Sequence, residues 1–298
     1  PTQIVIAMAK SPDGKLLATA YDNGRVRLWS VDGWEKRQLF AGHHDLVLSV
    51  AFTCDGRHLI SSGSDNIVKV WNLADGAEVM TLRGNKRGAS SIAPHPKDAT
   101  LFLTGSYDGT VLRRKIGVPQ EWQELTTAGE TCPDAHITQD GKYLVLVGVR
   151  NQKTKPTGIL TVWKSNPAKE DRPFAIGVEA VPTCSAISSK NQVALGCTNV
   201  VMLGDLIGNR TFLTLPTSVN HVWRAVAFTS DGSKLAAAAQ DGALVIWDCN
   251  TGKVLKNLQR NEVHFNALAF SPDHKALSVA RCTQGQRGAI TLSDVDTG

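Results

Sequence analysis

The 298 residues contain no CxxC pair, no HExxH, no GxxxxGK(S/T), no GxSxG and no CxxCH. Each absence removes a chemistry: thiol-held zinc, a zinc hydrolase helix, a P-loop, a nucleophile elbow and an attached haem. The six cysteines, Cys54, Cys132, Cys184, Cys197, Cys249 and Cys282, are scattered without metal-ligand spacing. They read as small packing residues in a reducing, cytoplasmic setting rather than as a disulfide set. Long apolar runs are missing too. The longest, such as Tyr143 to Val149, are strand-sized, and nothing spans a membrane. No charged-then-apolar leader follows Pro1, although a chain without an initial Met is open to having lost one. The net charge of +5 is modest and lacks the clustered stripes of a nucleic-acid binder. With 42% hydrophobic and 20% charged residues, the composition is that of an ordinary globular protein.

What the chain does have is a repeat. Trp29, Trp71, Trp163 and Trp247 each close a short alternating run, as in Val68-Lys69-Val70-Trp71 and Leu244-Val245-Ile246-Trp247. Spacing finds the same place at Arg114, Gly204 and Ser293, so the steps between marks are 42, 43, 49, 41, 43 and 46 residues. A period in the low forties built from short strands is the mark of a β-propeller blade. Radial repeats bury one continuous core, so length does not count domains. The expectation is an all-β, seven-bladed propeller of four-stranded antiparallel blades, with residues 1–298 as one domain cut from a longer chain.

The unit from Gly42 to Gly84 is the most complete. It offers strands at Val47 to Phe52, His58 to Gly63, Ile67 to Trp71 and Ala77 to Leu82, separated by Asp-Gly and Asp-Asn type turns. Such alternation broken at intervals of about ten residues describes a four-stranded meander. With Gly42-His43, Ser61, Asp65 and Trp71 in place, the chain resembles the WD-repeat family of β-propellers, and the resemblance covers essentially all of it. The family's tetrad implies a structural relay: the Asp accepts from the imidazole, the hydroxyl bridges, and the indole N–H donates. A His, Ser and Asp set also invites a hydrolase reading, but the fourth corner is Trp and the family role is structural.

Other units keep less. The first has Thr19, Asn23 and Trp29; the third has Thr104 and Asp108 with Arg114 in the Trp place; the sixth has Asp241 and Trp247 with Ala237 and Val219 at the other two places. After Ser293-Asp294 the seventh unit reaches a turn but no outer strand, and Pro1-Thr2-Gln3 leads almost directly into the first strand at Ile4. An edge of that kind calls for a strand from elsewhere.

A tetrad that ties the Gly-His loop to the turn after the second strand puts those two loop types on one face. That face gathers Arg83, Lys86, Arg87, Arg150, Lys153, Lys155, Arg281 and Arg287, diluted by Asp45, Glu130, Asp134 and Glu262. Arg224 opens toward the channel, and Trp223 beside it reads either as a rim core residue or as part of a binding surface. The resemblance implies a non-catalytic scaffold whose basic face binds an acidic or phosphorylated protein segment. The alternative is a sensor or accessory domain of a larger enzyme, such as a kinase, a nucleotide-switching ATPase or a haem protein. Neither reading calls for a cofactor or metal. The expected partner is a protein or peptide, not a small molecule, and not nucleic acid, since no aromatic stacking pattern accompanies the charge.

Overall fold

The computed structural model describes residues 3–118, 122–126, 131–150, 156–165, 173–206, 212–217, 221–259, 263–271, 274–283 and 289–294. Every regular element among them is a β-strand, and no helix is long and apolar enough to cross a membrane.

The chain divides into two compact units. The unit Ile6–Gly177 holds four meanders. They are β1 (Val5–Lys10), β2 (Leu16–Tyr21), β3 (Arg25–Ser30) and β4 (Lys36–Ala41); β5 (Val47–Phe52), β6 (His58–Gly63), β7 (Val68–Asn72) and β8 (Glu78–Leu82); β9 (Ala89–Pro94), β10 (Leu101–Ser106), β11 (Thr110–Lys115) and β12 (Trp122–Thr126); and β13 (Thr131–Ile137), β14 (Tyr143–Arg150), β15 (Thr157–Lys164) and β16 (Phe174–Val178). The unit of Pro1–Val5 and Val178–Gly298 holds β17 (Pro182–Ile187), β18 (Gln192–Cys197), β19 (Val201–Asp205) and β20 (Phe212–Leu215); β21 (Trp223–Phe228), β22 (Lys234–Ala239), β23 (Ala243–Asp248) and β24 (Val254–Gln259); and β25 (Val263–Phe270), β26 (Ala276–Thr283) and β27 (Ala289–Asp294).

Six of these sheets are four-stranded blades, not seven, because β25–β27 pair as a sheet of three. The expectation of seven four-stranded blades is corrected on this point. Each period mark in the sequence sits on a third strand, so counting marks counts third strands and says nothing of a fourth.

Position within the meander explains the burial patterns. Second strands with a sheet of their own unit on each side are covered on both faces, so β6, β10 and β22 are buried at every residue after the first. Small residues suit that double cover, as in the Ala236 to Ala239 run of β22. Outer strands bury little: one residue each of β4, β12, β16 and β20 (Phe40, Leu125, Val178 and Leu215) and two of β8 (Met80 and Leu82) turn inward. Between the first and second blades Ala18, Val26, Leu28 and Phe40 meet Val50, Leu59 and Trp71. The second and third meet through Ile60, Val68 and Val70 against Ala89 and Phe102.

Two features recur at the blade ends. Pairing slips where first strands begin, between Val47 and Ser49, Thr131 and Asp134, Pro182 and Cys184, Trp223 and Ala225, and Phe265 and Ala267. Such a bulge leaves one residue outside the ladder and re-aims its side chain; Leu48 and Arg224 occupy this place in their blades. At the opposite ends, the turns joining first and second strands are built by a hydroxyl on a carboxylate, as in Thr53 to Asp55, Thr138 to Asp140 and Thr229 to Asp231. These turns also rest on one another. A Cβ at Gly141 would lie 2.8 Å from the His95 ring, and one at Gly232 would lie 3.2 Å from Ser188.

Cys197 and Cys249 are buried, and burial pushes both thiols up to about 12. Leu59 is enclosed at 0% exposure, whereas Val79 on outer β8 is 44% exposed. Leu59→Ala should therefore cost about 2 to 5 kcal/mol and Val79→Ala less than about 0.5 kcal/mol, as read by denaturant unfolding.

Candidate functional site

In the second blade four side chains from two strands, a loop and a turn meet. His43 lies in the loop before β5, Ser61 in β6, Asp65 in the β6–β7 turn and Trp71 in β7. His43 Nδ1–H donates to Asp65 Oδ2 at 3.0 Å, the Ser61 hydroxyl donates to His43 Nε2 at 2.9 Å, and Trp71 Nε1–H donates to Ser61 Oγ at 2.9 Å. This direction of donation needs a neutral imidazole protonated on Nδ1. Burial holds the His43 pKa below its ordinary 6.5 despite the neighbouring Asp65 carboxylate. Asp65 also accepts from the His44 and Ile67 amides at 3.1 Å each. The backbone comes in close: a Cβ at Gly63 would sit 2.6 Å from Asp65 Oδ1 and 2.8 Å from His43 Nδ1. A Ser nucleophile needs a reachable Oγ. Ser61 is 0% exposed and its hydroxyl is spent between imidazole and indole, so the set ties strands together.

Other blades rebuild this tie from other residues. In the first, Trp29 Nε1 donates to Thr19 Oγ1 at 2.9 Å, and Tyr21 Oη lies 3.2 Å from the same oxygen. In the sixth, Val219 lies outside the described residues, and the carboxylate of Asp241 is met instead by His221, whose Nδ1 is 2.6 Å away. His221 is edge-on to Trp223 at 5.1 Å, and Trp247 donates to the Pro216 carbonyl at 3.0 Å. His221 precedes its Asp by 20 residues and His43 by 22, so a fixed count misses it.

The third blade departs furthest. Arg114, in the Trp place, is 2% exposed. Its Nε donates to Thr104 Oγ1 at 3.1 Å, one terminal nitrogen to the Arg83 carbonyl at 3.0 Å and the other to Asn85 Oδ1 at 2.8 Å. Burial pushes its pKa down to about 10, which leaves it charged at neutral pH. The Lys86 amide donates to Asp108 at 2.9 Å, Ser106 donates to the Arg87 carbonyl at 2.9 Å, and the Tyr107 amide donates to the Gly88 carbonyl at 3.2 Å. The loop between β8 and β9 is thus held from below, while the side chains of Arg83, Lys86 and Arg87 are exposed. Arg114 is the residue that reading by sequence undervalued; its only signal was a basic side chain where an indole belongs.

The other expected contact residues are placed separately. Arg150 ends β14, exposed. Lys153, Lys155 and Arg287 lie outside the described residues, as do Glu130 and Glu262. Arg281 pairs with Phe265 and Ala289 within β26. Arg224 is exposed and donates to Gln240 Oε1 through Nη2 at 2.6 Å. Trp223 is 0% exposed, packed with Val226, Leu235 and Trp247, so its place in a partner-binding set is corrected to one in the core. Asp45 is exposed and its carboxylate accepts from the Leu46 amide, while Asp134 faces His136 at 3.2 Å. Among the described residues no group of three His, Cys, Asp or Glu side chains is placed to hold a metal ion.

Two outcomes follow from these ties. His43, with a folded pKa below 6.5, makes the folded state bind fewer protons than the unfolded one under that pH. Its share of stability is present above the ordinary value and is lost as pH falls through it. Unfolding at about pH 7.5 and about pH 5.5 should show a larger loss for the parent than for His43→Asn. In the third blade, Arg114→Ala removes the donor from the buried Thr104 and Asn85 oxygens and from the part-buried Arg83 carbonyl and should cost about 3 kcal/mol. The pair Asn85→His with Arg114→Trp should recover most of that in thermal melts, since Thr104 and Asp108 already occupy the remaining corners.

Comparison with known proteins follows the same blades. The model of the WD domain, G-beta repeat, matches residues 1–30, 34–72, 76–112 and 213–248. The SIR4-interacting protein SIF2 of Saccharomyces cerevisiae is 25% identical over 258 residues, covering 83% of this chain and 47% of that protein. The COMPASS component SWD3 of the same yeast is 30% identical over 101 residues, covering 34% of this chain and 32% of that protein. The chain spans less than half the length of the relatives that match most of it. The solved β-propeller domain of Cps50 (Swd1) from Myceliophteria thermophila superposes with a TM-score of 0.81 over 98% of this chain and 97% of that one, at 16% identity, which shows the fold. Repeat matches in four stretches of the chain and this shared fold make it similar to WD-repeat β-propeller proteins.

Proposed function

We propose that the chain is a non-catalytic protein-interaction scaffold that holds an acidic or phosphorylated partner segment on the β8–β9 loop. The observation that carries this reading is the loop itself. It is tied to the third blade through its backbone at Arg83, Lys86 and Arg87 and through the Asn85 side chain, its three cationic side chains are exposed, and none of the three makes an ion pair among the described residues. A fixed backbone removes part of the ordering cost of binding, and guanidinium groups suit carboxylate and phosphate oxygens. The Arg114 charge beneath adds to the same field. Arg150, Lys153, Lys155, Arg224, Arg281 and Arg287 belong to the wider basic set of this proposal. Two relatives are named for protein assemblies, one as a SIR4-interacting protein and one as a COMPASS component, which agrees with a scaffold role.

The probe is a short fluorescein-labelled peptide of alternating Glu and Ser, with and without phosphoserine, titrated by anisotropy. Joint Arg83→Glu, Lys86→Glu and Arg87→Glu should weaken binding at least about tenfold with little change in melting, and added salt should weaken the parent's binding. Equal affinity of parent and variant would remove the loop from the function.

A further inference from the structure

Beside the basic loop lies an apolar surface that the charge alone does not account for. Leu46 is 36% exposed and Tyr107 is 44% exposed. The segments that carry them are linked by backbone hydrogen bonds and by a close approach at Gly88. The Ser64 amide donates to the Leu46 carbonyl at 2.9 Å, and the Tyr107 amide donates to the Gly88 carbonyl at 3.2 Å. A Cβ at Gly88 would lie 3.2 Å from Leu48 Cδ1, 3.3 Å from Ser64 Cα and 3.5 Å from Tyr107 Cδ2. Leu48 and Tyr107 therefore flank bare backbone at Gly88.

The placement follows from the fold. Leu48 is the residue that the β5 bulge leaves out of the ladder, between the pairs Val47 with Gly63 and Ser49 with Ser62, and a bulge re-aims its side chain. Tyr107 stands in the β10–β11 turn of the next blade, and Gly88 follows Arg87 directly. Single exposed apolar residues are ordinary on a surface, whereas a connected group across two blades is a mark of contact with a partner. Tyr is also among the side chains that most often anchor interfaces.

We infer that the partner segment carries a bulky apolar side chain next to its acidic groups, and that this side chain seats on Leu46, Leu48 and Tyr107 over Gly88 while the acidic groups meet Lys86 and Arg87. The inference rests on the scaffold reading above and names the chemistry of the segment it holds. Charge complementarity selects this occupant: Lys86 and Arg87 border the apolar group, Asp108 is engaged by the Lys86 amide and by Thr110, and Asp45 is the exposed acid nearby. A purely apolar strand gains nothing from the cations, and a purely acidic one leaves Leu46 and Tyr107 in water.

The test is a random short-peptide library, free of any assumed sequence, panned on the parent chain and on the Leu46→Ser, Tyr107→Ser double variant, with thermal melts to confirm that both are folded. The parent should enrich peptides that pair Asp or Glu with Leu, Ile, Phe or Trp within a few residues. The double variant should keep the acidic preference and lose the apolar one. Replacing the apolar residue of an enriched peptide by Ser should cost the parent about tenfold in affinity and leave the variant unmoved, as burial of one such side chain requires. Acidic peptides without an apolar preference, or the same apolar preference in the double variant, overturn this inference and leave the basic loop standing. A pool without acidic enrichment overturns both.

Discussion

In three blades a carboxylate in the turn after the second strand reaches across to the loop entering the first. Asp65 does this to His43 and the His44 amide, Asp108 to the Lys86 amide, and Asp241 to His221. The interaction closes one end of a meander whose hydrophobic contacts lie along its faces and cannot hold its loops. Blades are then free to vary the other corners, because the carboxylate satisfies whichever donor the loop presents. A buried acceptor left without a donor is costly, so the loop's donor must always be replaced by another.

The third blade shows how far such variation goes. Exchange of indole for guanidinium turns a single donation to a hydroxyl into three, and two of them fix the preceding loop. A buried cation without a carboxylate partner is expensive to enclose, yet each of the three guanidinium nitrogens of Arg114 donates to an oxygen. The same substitution therefore orders Arg83 to Gly88 and charges the ground beneath it. Strand-tying and loop presentation, separate tasks in the second blade, are joined in the third.

Much of this was legible in the chain. Alternating runs ending in Trp71 or Trp247 located the meanders, and the strand boundaries of the second blade read from sequence match β5 and β6 to the residue. The four corners His43, Ser61, Asp65 and Trp71 were named from the resemblance to the WD-repeat family. His221 escaped because a bridge between loop and turn is set by distance in space and not by residue count. Trp223 was ambiguous because alternation does not say which neighbour covers a residue at the mouth of a strand; the His221 and Trp247 rings cover it. The number of four-stranded blades was misjudged because the repeat mark lies inside a sheet, away from its edge.

The guanidinium of Arg114 has a consequence for regulation. Even pushed down to about 10, its titration lies far above any compartment's acidity. The field under the loop is a constant of the molecule, unlike one built from histidine. On the reading proposed above, timing then comes from the other side of the contact: a kinase, a phosphatase or a change of pH acts on the partner's anion, while the charge under the loop stays constant.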